Sequence, residues 1–487
     1  MSDLLNIGRT GLNASKKSLE TTGHNIANVN TEGYSRQRVN QTTNTPITKG
    51  GTIHGTGVRV KSVTRINDDF INKRLQKSIT NSEFFEQRMD RMSQVESIFN
   101  EIDSEGLNQV VNKFFNSFRE LANQPENETI RSVVRDQANL VVQDFRRINE
   151  NLDAISSGID ANIKTEVIDI NQTAEHIASL NKKIQSLEAV HEEVGDLRDQ
   201  RDLAIRKLAE SFDVNTYVDS KGKYVVSAKG VGTLVTGTLV QKLEVGTRNK
   251  EDSANGLAGS AEIYFEGKPA FPLTHKFKGG KLSSMIKVRN EDIVEVKTKV
   301  NHIAYNLSKS VNAIHRRGYV NRSLTKDEAG NVSSVDNKGL TTGIDFFKEP
   351  TSEKDAALNM DLSSAVKEDL SNVVTALSPN APGDNRVSLA ISKLQHERIL
   401  GENETTLEEY YLQTVGKIGL ETGKARLDSE QSEGLKAQAI GLRERLVGVS
   451  IDEEAANMVR YQHAYEASAK IMQTADEMFK TVIGIKR

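Results

Sequence analysis

The chain has 487 residues, with 64 Lys and Arg against 67 Asp and Glu, a net charge of -3 and no cysteine. That balance gives no whole-chain attraction to nucleic acid or anionic lipid, and the missing thiols exclude disulfides, Cys-ligated zinc, iron–sulfur clusters and thiol catalysis. At 36% hydrophobic and 5% aromatic residues, without Trp, the composition suits thin helical bundles better than one large globule.

At the N-terminus no basic region precedes a continuous apolar run, so a cleavable secretory signal is not expected. No run of 18 apolar residues predicts a membrane helix either. Leu5, Gly8, Leu12, Ser15, Leu19, Thr22, Ile26 and Val29 alternate steps of three and four, which predicts a helix with one apolar stripe. Asn25, Asn28, Asn30 and Gly33 then predict a helix end and turn, because Asn and Gly tolerate left-handed backbone. That turn either simply leads into a loop or also touches a neighbouring subunit. The Gly-rich 49–57 predicts a turn and a strand at 58–60, with no phosphate-loop or dinucleotide glycine pattern.

Proline marks the long helices. The seven prolines leave 126–268 and everything after Pro382 free of helix breakers. Within the first gap run Val141, Phe145, Ile148, Leu152, Ile155, Ile159, Ile163, Val167, Ile170, Ala174, Ile177, Leu180, Ile184 and Leu187. Their spacing averages about 3.5, the coiled-coil period, and predicts a long helical rod within 126–212 with Gly158 as the place for a kink. From Val214 the period shortens to two. Residues 214–218 and 224–228 flank an Asp-Ser-Lys-Gly turn and predict a hairpin, with further strands in 239–245 and 261–265. Helical spacing returns at Ile293, Val296, Val300, Ile303, Leu307 and Val311. A Gly-, Ser- and Asp-rich stretch, 318–367, carries Phe346-Phe347 as an anchor, and helix resumes near Asn385.

The C-terminal helix carries two stripes. The first is Ile451, Ala455, Met458, Gln462, Tyr465, Ala469, Met472, Asp476, Phe479 and Ile483. Beside it lie Tyr461, Ala464, Ser468, Ile471, Ala475, Met478, Val482 and Ile485. Two adjacent stripes both need cover. One can face the N-terminal helix and the other a second chain, or the helix is simply an amphipathic member of a bundle.

The segment 11–37, ending His24-Asn-Ile-Ala-Asn-Val-Asn-Thr-Glu-Gly-Tyr-Ser-Arg-Gln37, resembles the N-terminal signature of the flagellar rod, hook and hook-associated protein family. The segment 448–469, with Ile451-Asp-Glu-Glu454, and Thr474-Ala-Asp-Glu-Met478 after it, resembles the C-terminal signature of that family. Glu32 stands where the family often has Pro. The helical stretch 126–212, Phe346-Phe347 and Pro382-Gly-Asp-Asn385 look like the hook-associated branch rather than the β-rich hook subunit. The resemblance implies a non-enzymatic structural adaptor, exported by the flagellar type III apparatus without signal cleavage and extracellular in the hook–filament junction. It implies as partners further copies in a ring or helical layer, the hook protein, a second junction protein, and an export chaperone at the C-terminal helix. It implies neither nucleic-acid binding nor membrane insertion. The assembly interface expected on this basis comprises Leu5, Leu12, Leu19, Ile26, Asn25, Asn28, Asn30, Gly33 and Tyr34, with Ile451, Ala455, Met458, Gln462, Tyr465, Ala469, Met472 and Phe479. The rival readings are another axial subunit of distal-rod or hook type and a coiled-coil signalling protein.

Nothing in the sequence predicts an active site, cofactor or metal. The nine His form no HExxH or i, i+4 pair, and 325–331 lacks the alternating acids of a calcium loop. The expected fold is mainly α with an inserted β-rich domain, elongated and segmented. A terminal coiled coil, 1–45 with 445–487, leads to a helical bundle of 46–212, 286–317 and 381–444. An outer β-rich domain joins 213–285 to 318–380.

Overall fold

The computed structural model describes residues 2–49, 51–99, 106–189, 194–248, 259–327, 330–335, 339–401 and 404–485. Helix α1 (Ser2–Ala27) passes through the turn 28–36 into β1 (Gln37–Thr43), a short hairpin of β2 (Ile47–Lys49) and β3 (Thr52–His54), and β4 (Val58–Arg65). β4 returns antiparallel to β1, from Thr43↔Val58 to Gln37↔Arg65, and the ladder lies along α1, where Gln41 Nε2 donates to Ser18 Oγ at 3.0 Å. This ladder crosses the boundary expected at residue 45. Strand β1 reads Gln-Arg-Val-Asn-Gln-Thr-Thr, so a single apolar residue was too little to signal it.

Helix α2 (Asp69–Ile98) starts at Asp68, whose carboxylate accepts from the Phe70 and Ile71 N–H groups at 2.9 and 3.2 Å. After α3 (Leu107–Asn123) comes α4 (Glu128–Glu188), capped by the Asn127 side chain and continuous through Gly158. Its 61 residues span about 90 Å at 1.5 Å each. The expected rod is thus two helices, because α5 (Gly195–Ser211) turns back along α4 and Arg201 Nη1 donates to Asn181 Oδ1 at 3.1 Å. The 3.5-period series is buried from Val141 to Ile184, with Ile155 and Leu187 half-buried. It faces the chain's own core of α3, α7 and the inserted strands.

The insertion is a four-stranded antiparallel sheet, β5 (Val214–Val218), β6 (Tyr224–Ala228), β7 (Gly232–Thr236) and β8 (Leu239–Val240), and a pair, β9 (Leu243–Thr247) and β10 (Ala261–Phe265). The β5–β6 turn forms as expected, with Asp219 Oδ1 accepting from the N–H groups of Lys221 and Lys223. Val226, Val235 and Ile263 are buried in the same core cluster as α4. Polar side chains of α4 fix the strands: Asn171 Nδ2 donates to the Leu243 carbonyl while its Oδ1 accepts the Leu243 N–H, both at 2.8 Å. The two ends of the insertion meet, Asp213 N donating to the Lys278 carbonyl at 2.8 Å.

α6 (Gly280–Lys287) continues through a π-turn (Val288–Asp292) into α7 (Ile293–His315). The following segment, with β11 (Leu324–Lys326), β12 (Val332–Ser334), α8 (Ala356–Asn359) and α9 (Ser364–Glu368), corrects one expectation. It does not join 213–285 in one outer domain. Phe346 and Phe347 are fully buried against Phe114 and Phe118 of α3, and Arg131, in the second turn of α4, donates to the Val373 carbonyl and to Thr375 Oγ1. The strands sit at positions 160–181 of α4, roughly 45–75 Å further along it. The Phe pair is an anchor for the bundle. Two helices close the fold after α10 (Arg386–Lys393): α11 (Leu407–Val447), opened by a Thr406/Glu409 capping box, lies along α2, and α12 (Ile451–Ile485) lies along α1.

Candidate assembly interface

Helices α1 and α12 form an antiparallel arm. Their closeness has a local cause. A Cβ on Gly8 would stand 2.7 Å from Met472 Cγ, and one on Gly11 2.8 Å from Ser468 Oγ. Ser468 and Ile471 of the second C-terminal stripe and Met472 of the first therefore meet α1, and Ala475 of the second stripe is buried.

The first stripe is mostly uncovered, although its Met472 meets Gly8 of α1. Ile451, Ala455, Gln462, Tyr465 and Phe479 are exposed, and Met458, Ala469 and Met472 are half-buried. Among the described residues of α12, Glu454 and Ala475 are the two that are buried. On α1, Leu5, Leu12, Leu19 and Ile26 are half-buried, because the helix also carries the β1–β4 ladder.

The turn residues do something different. Asn25, Gly33 and Tyr34 are buried inside the chain, Asn28 is half-buried and Asn30 exposed. Asn25 Nδ2 donates to the Gln37 carbonyl at 2.9 Å and to Glu454 Oε2 at 3.2 Å, and its Oδ1 accepts from Tyr34 OH at 2.8 Å and Gln37 N–H at 2.9 Å. Asn28 Nδ2 donates to the His24 carbonyl at 3.0 Å. Burial, with Asp196, Asp199 and Glu454 nearby, holds the Tyr34 phenol protonated well beyond its usual range, so it serves as a donor. Gly33 has φ +83°, and a Cβ there would stand 2.9 Å from Arg206 Nη2.

Six charged groups complete this joint, none of them singled out by periodicity. Arg36 donates from Nε to Glu454 Oε1 and from Nη1 to Glu453 Oε2, both at 2.7 Å. Arg443 Nη2 reaches the Gly33 and Tyr34 carbonyls at 2.9 and 3.2 Å. Asp199 on α5 accepts from Ser35 N–H at 2.8 Å and from Arg65 Nη1 at 2.7 Å. Burial pushes the Asp199 carboxyl up, while Ser35 and Arg65 pull it back. The turn thus ties α1, α5, the end of α11 and the start of α12 into one corner. Opposite charges in the two end motifs, Arg36 with Glu453 and Glu454, were the available signal for it.

Chemically the corner offers hydrogen bonds and packing. Among the described residues, no group of three His, Asp or Glu side chains is placed to hold a metal ion, and no helix is long and apolar enough to cross a membrane. A cleft of about 1020 Å³ opens between the turn, α2, α4, α5 and α11, with Lys207 and Lys436 beside Glu210 and Glu444.

Three parts of the chain match known families. Residues 92–330 match the flagellar hook-associated protein FlgK helical domain. Residues 446–485 match the flagellar basal body rod FlgEFG protein C-terminal family, and residues 5–34 the flagella basal body rod protein family. Flagellar hook-associated protein 1 of Bacillus subtilis (strain 168) is 29% identical over 516 residues, covering 98% of this chain and 97% of the relative. The protein of the same name from Salmonella typhimurium (strain LT2) is 25% identical over 559 residues, with both chains fully covered. In fold, the chain is similar to the flagellar hook junction protein FlgK from Burkholderia pseudomallei, with a TM-score of 0.62 at 14% identity, covering 78% of this chain and all of that one. With end signatures, helical middle and full-length relatives in agreement, this chain is similar along its whole length to flagellar hook-associated protein 1.

Proposed function

We propose that this chain is a structural adaptor of the bacterial flagellum, the subunit of the first layer between hook and filament. The observation that carries the reading is the bare flank of α12. Val459, Tyr465, Ile471, Met478, Phe479, Val482 and Ile483 are 36–54% exposed along one helix, left largely open beside and beyond the positions that meet α1. Contiguous apolar surface on this scale marks an interface. Neighbouring copies, arranged as a ring or short helical layer, supply the cover, so Tyr465, Ala469 and Phe479 are contact residues between chains. The arm is then the inner wall, the bundle the next shell, and the β5–β10 insertion outermost.

The hook protein below and a second junction protein above are the partners at the two ends of that layer. The apolar α12 flank must also be protected before assembly, which fits a chaperone that holds it during type III export without signal cleavage. Arg36, Glu454 and their neighbours carry load across the corner and perform no chemical step. The test is deletion of the gene. Hooks should remain while filaments are absent and flagellin is lost to the medium. Normal filaments would refute the reading, and loss of the hooks as well would favour a rod or hook role.

A further inference from the structure

We propose that the solvent face of α11 docks onto the solvent face of α4 in a second copy, at the same level of the bundle. This rests on the reading of a self-assembling subunit given above and adds a contact outside the α1–α12 arm.

Helix α11 turns Ile418 and Ala425 inward. On the far side, Leu420 and Leu427 are 68% and 67% exposed. At about 100° per residue they share a sector roughly 60° wide with Gly416, Gly423, Gly434 and Gly441. Glycine is the poorest helix former after proline. Among the described residues, a Cβ at any of these four glycines would meet nothing within 4 Å, so the chain's own packing does not demand them. Their effect is to let another backbone come close, with the two leucines as knobs between them.

Helix α4 carries a surface that fits. Ala154, Gly158, Ala161 and Thr165 step by four, three and four along its exposed face, opposite the buried Leu152, Ile159 and Ile163. These four side chains and the two leucines are uncharged, and the exposed charges Glu150 on α4 and Glu430 on α11 stand at the edge of each face, where they keep access to water.

The position of the two faces selects a second copy as the occupant. Lys417 of α11 pairs with Glu295 of α7, and Asp153 of α4 pairs with Lys297 of α7 at 2.6 Å. Residues two apart on a helix point roughly 200° apart, so α11 and α4 flank α7 on opposite sides. Both run antiparallel to α7. Arg88 joins Glu421 to Asp292, and Arg289 pairs with Asp160. Leu420 and Leu427 therefore stand level with about residues 156–163 of α4. A ridge on one flank and a matching groove on the other, at one height, is what a head-to-tail contact needs to close by rotation alone.

The chain has no cysteine, so a pair can be introduced without background. Full-length Leu427→Cys/Ala161→Cys is expressed in a strain lacking the parent gene, and its isolated flagella are oxidised and run on a denaturing gel without reductant. A ladder of dimers and higher multimers is expected, absent from each single-cysteine variant. Pair-variant chains present in the flagella but running as monomers would overturn the contact and leave the junction role standing. Dimers from Leu427→Cys alone would overturn it too, by showing two α11 helices meeting. Absence of even the parent chain from the flagella would bring down the role and the contact together. A companion variant, Leu427→Asp, should melt like the parent, because the site is exposed in the single chain, yet fall at least tenfold in its share of the flagella. Normal incorporation of that variant would also overturn the contact.

Discussion

Glu454 and Glu453 both hold Arg36, and the structure separates what each contributes. The Glu454 side chain is 3% exposed and that of Glu453 63%. Removing one partner of a fully buried pair costs about 3–5 kcal/mol. Here the loss is smaller. Arg36 is 23% exposed and keeps Glu453, and Asn25 Nδ2 keeps the Gln37 carbonyl. Glu454→Gln should therefore destabilise the corner by about 2 kcal/mol, while Glu453→Gln, an exposed pair, should cost below about 0.5 kcal/mol. A 2 kcal/mol loss raises the opening equilibrium about 30-fold. Hydrogen exchange followed by mass spectrometry reads this directly. Peptides from α1 and the β1–β4 ladder should exchange about 30-fold faster in Glu454→Gln, with α3 unchanged. Equal effects of the two substitutions, or the same acceleration in α3, would refute the view of the corner as a local clamp.

Gly280 sits at φ +68°, and a Cβ there would lie 2.3 Å from the Ser211 carbonyl carbon and 2.5 Å from Phe212 N. Gly280→Ala should cost at least about 3 kcal/mol in urea unfolding, whereas Gly158→Ala, in open helix, should gain up to about 1 kcal/mol. His315 is buried with both ring nitrogens engaged. Nδ1 donates to the Ile344 carbonyl at 2.7 Å, and Nε2 accepts the Val374 N–H at 3.0 Å. Burial pushes its pKa down to about 4. The folded state thus resists protonation more than the unfolded chain, with its ordinary value near 6.5. Its stabilising effect is complete above about pH 6.5 and lost as pH falls towards 4, about 1.4 kcal/mol per pH unit. Urea unfolding of the parent at pH 7 and 4.5 should show this slope and His315→Gln a flatter one; equal slopes would count against the assignment.

The long helices were legible because their period is carried by large apolar residues. Val141 to Ile184 on α4 and the two α12 stripes could be read directly. The β5–β6 hairpin showed because Val- and Tyr-rich runs flank an Asp-Ser-Lys-Gly turn. Strand β1 was not legible, since Val39 is the one apolar residue among its own Gln, Arg, Asn and Thr side chains. The placement of 318–380 was equally hidden: Phe346-Phe347 announced an anchor, but no local pattern says which surface receives it. The corner was half visible. Asn25 and Tyr34 stood out by residue type, whereas Asp199 and Arg65 are ordinary surface charges until the fold brings them together. Periodicity reports which side of an element needs cover, and the identity of the cover depends on contacts hundreds of positions away.

Helix α1 has its partner at the far end of the polypeptide, for Asn25 bonds to Glu454 across 429 positions. A ribosome adding about 5–20 residues per second leaves α1 without α12 for roughly 20–90 s, with only the β1–β4 ladder against it. During that interval α3 to α10 can fold among themselves, while α2 waits for α11, whose Lys436 reaches Glu83 across 353 positions. Once they have done so, the gap between α1 and α12 is already short and little chain entropy remains to be lost. Helix α1 is thus made long before the helix that closes over it, and the side that meets α12 stays uncovered until α12 arrives.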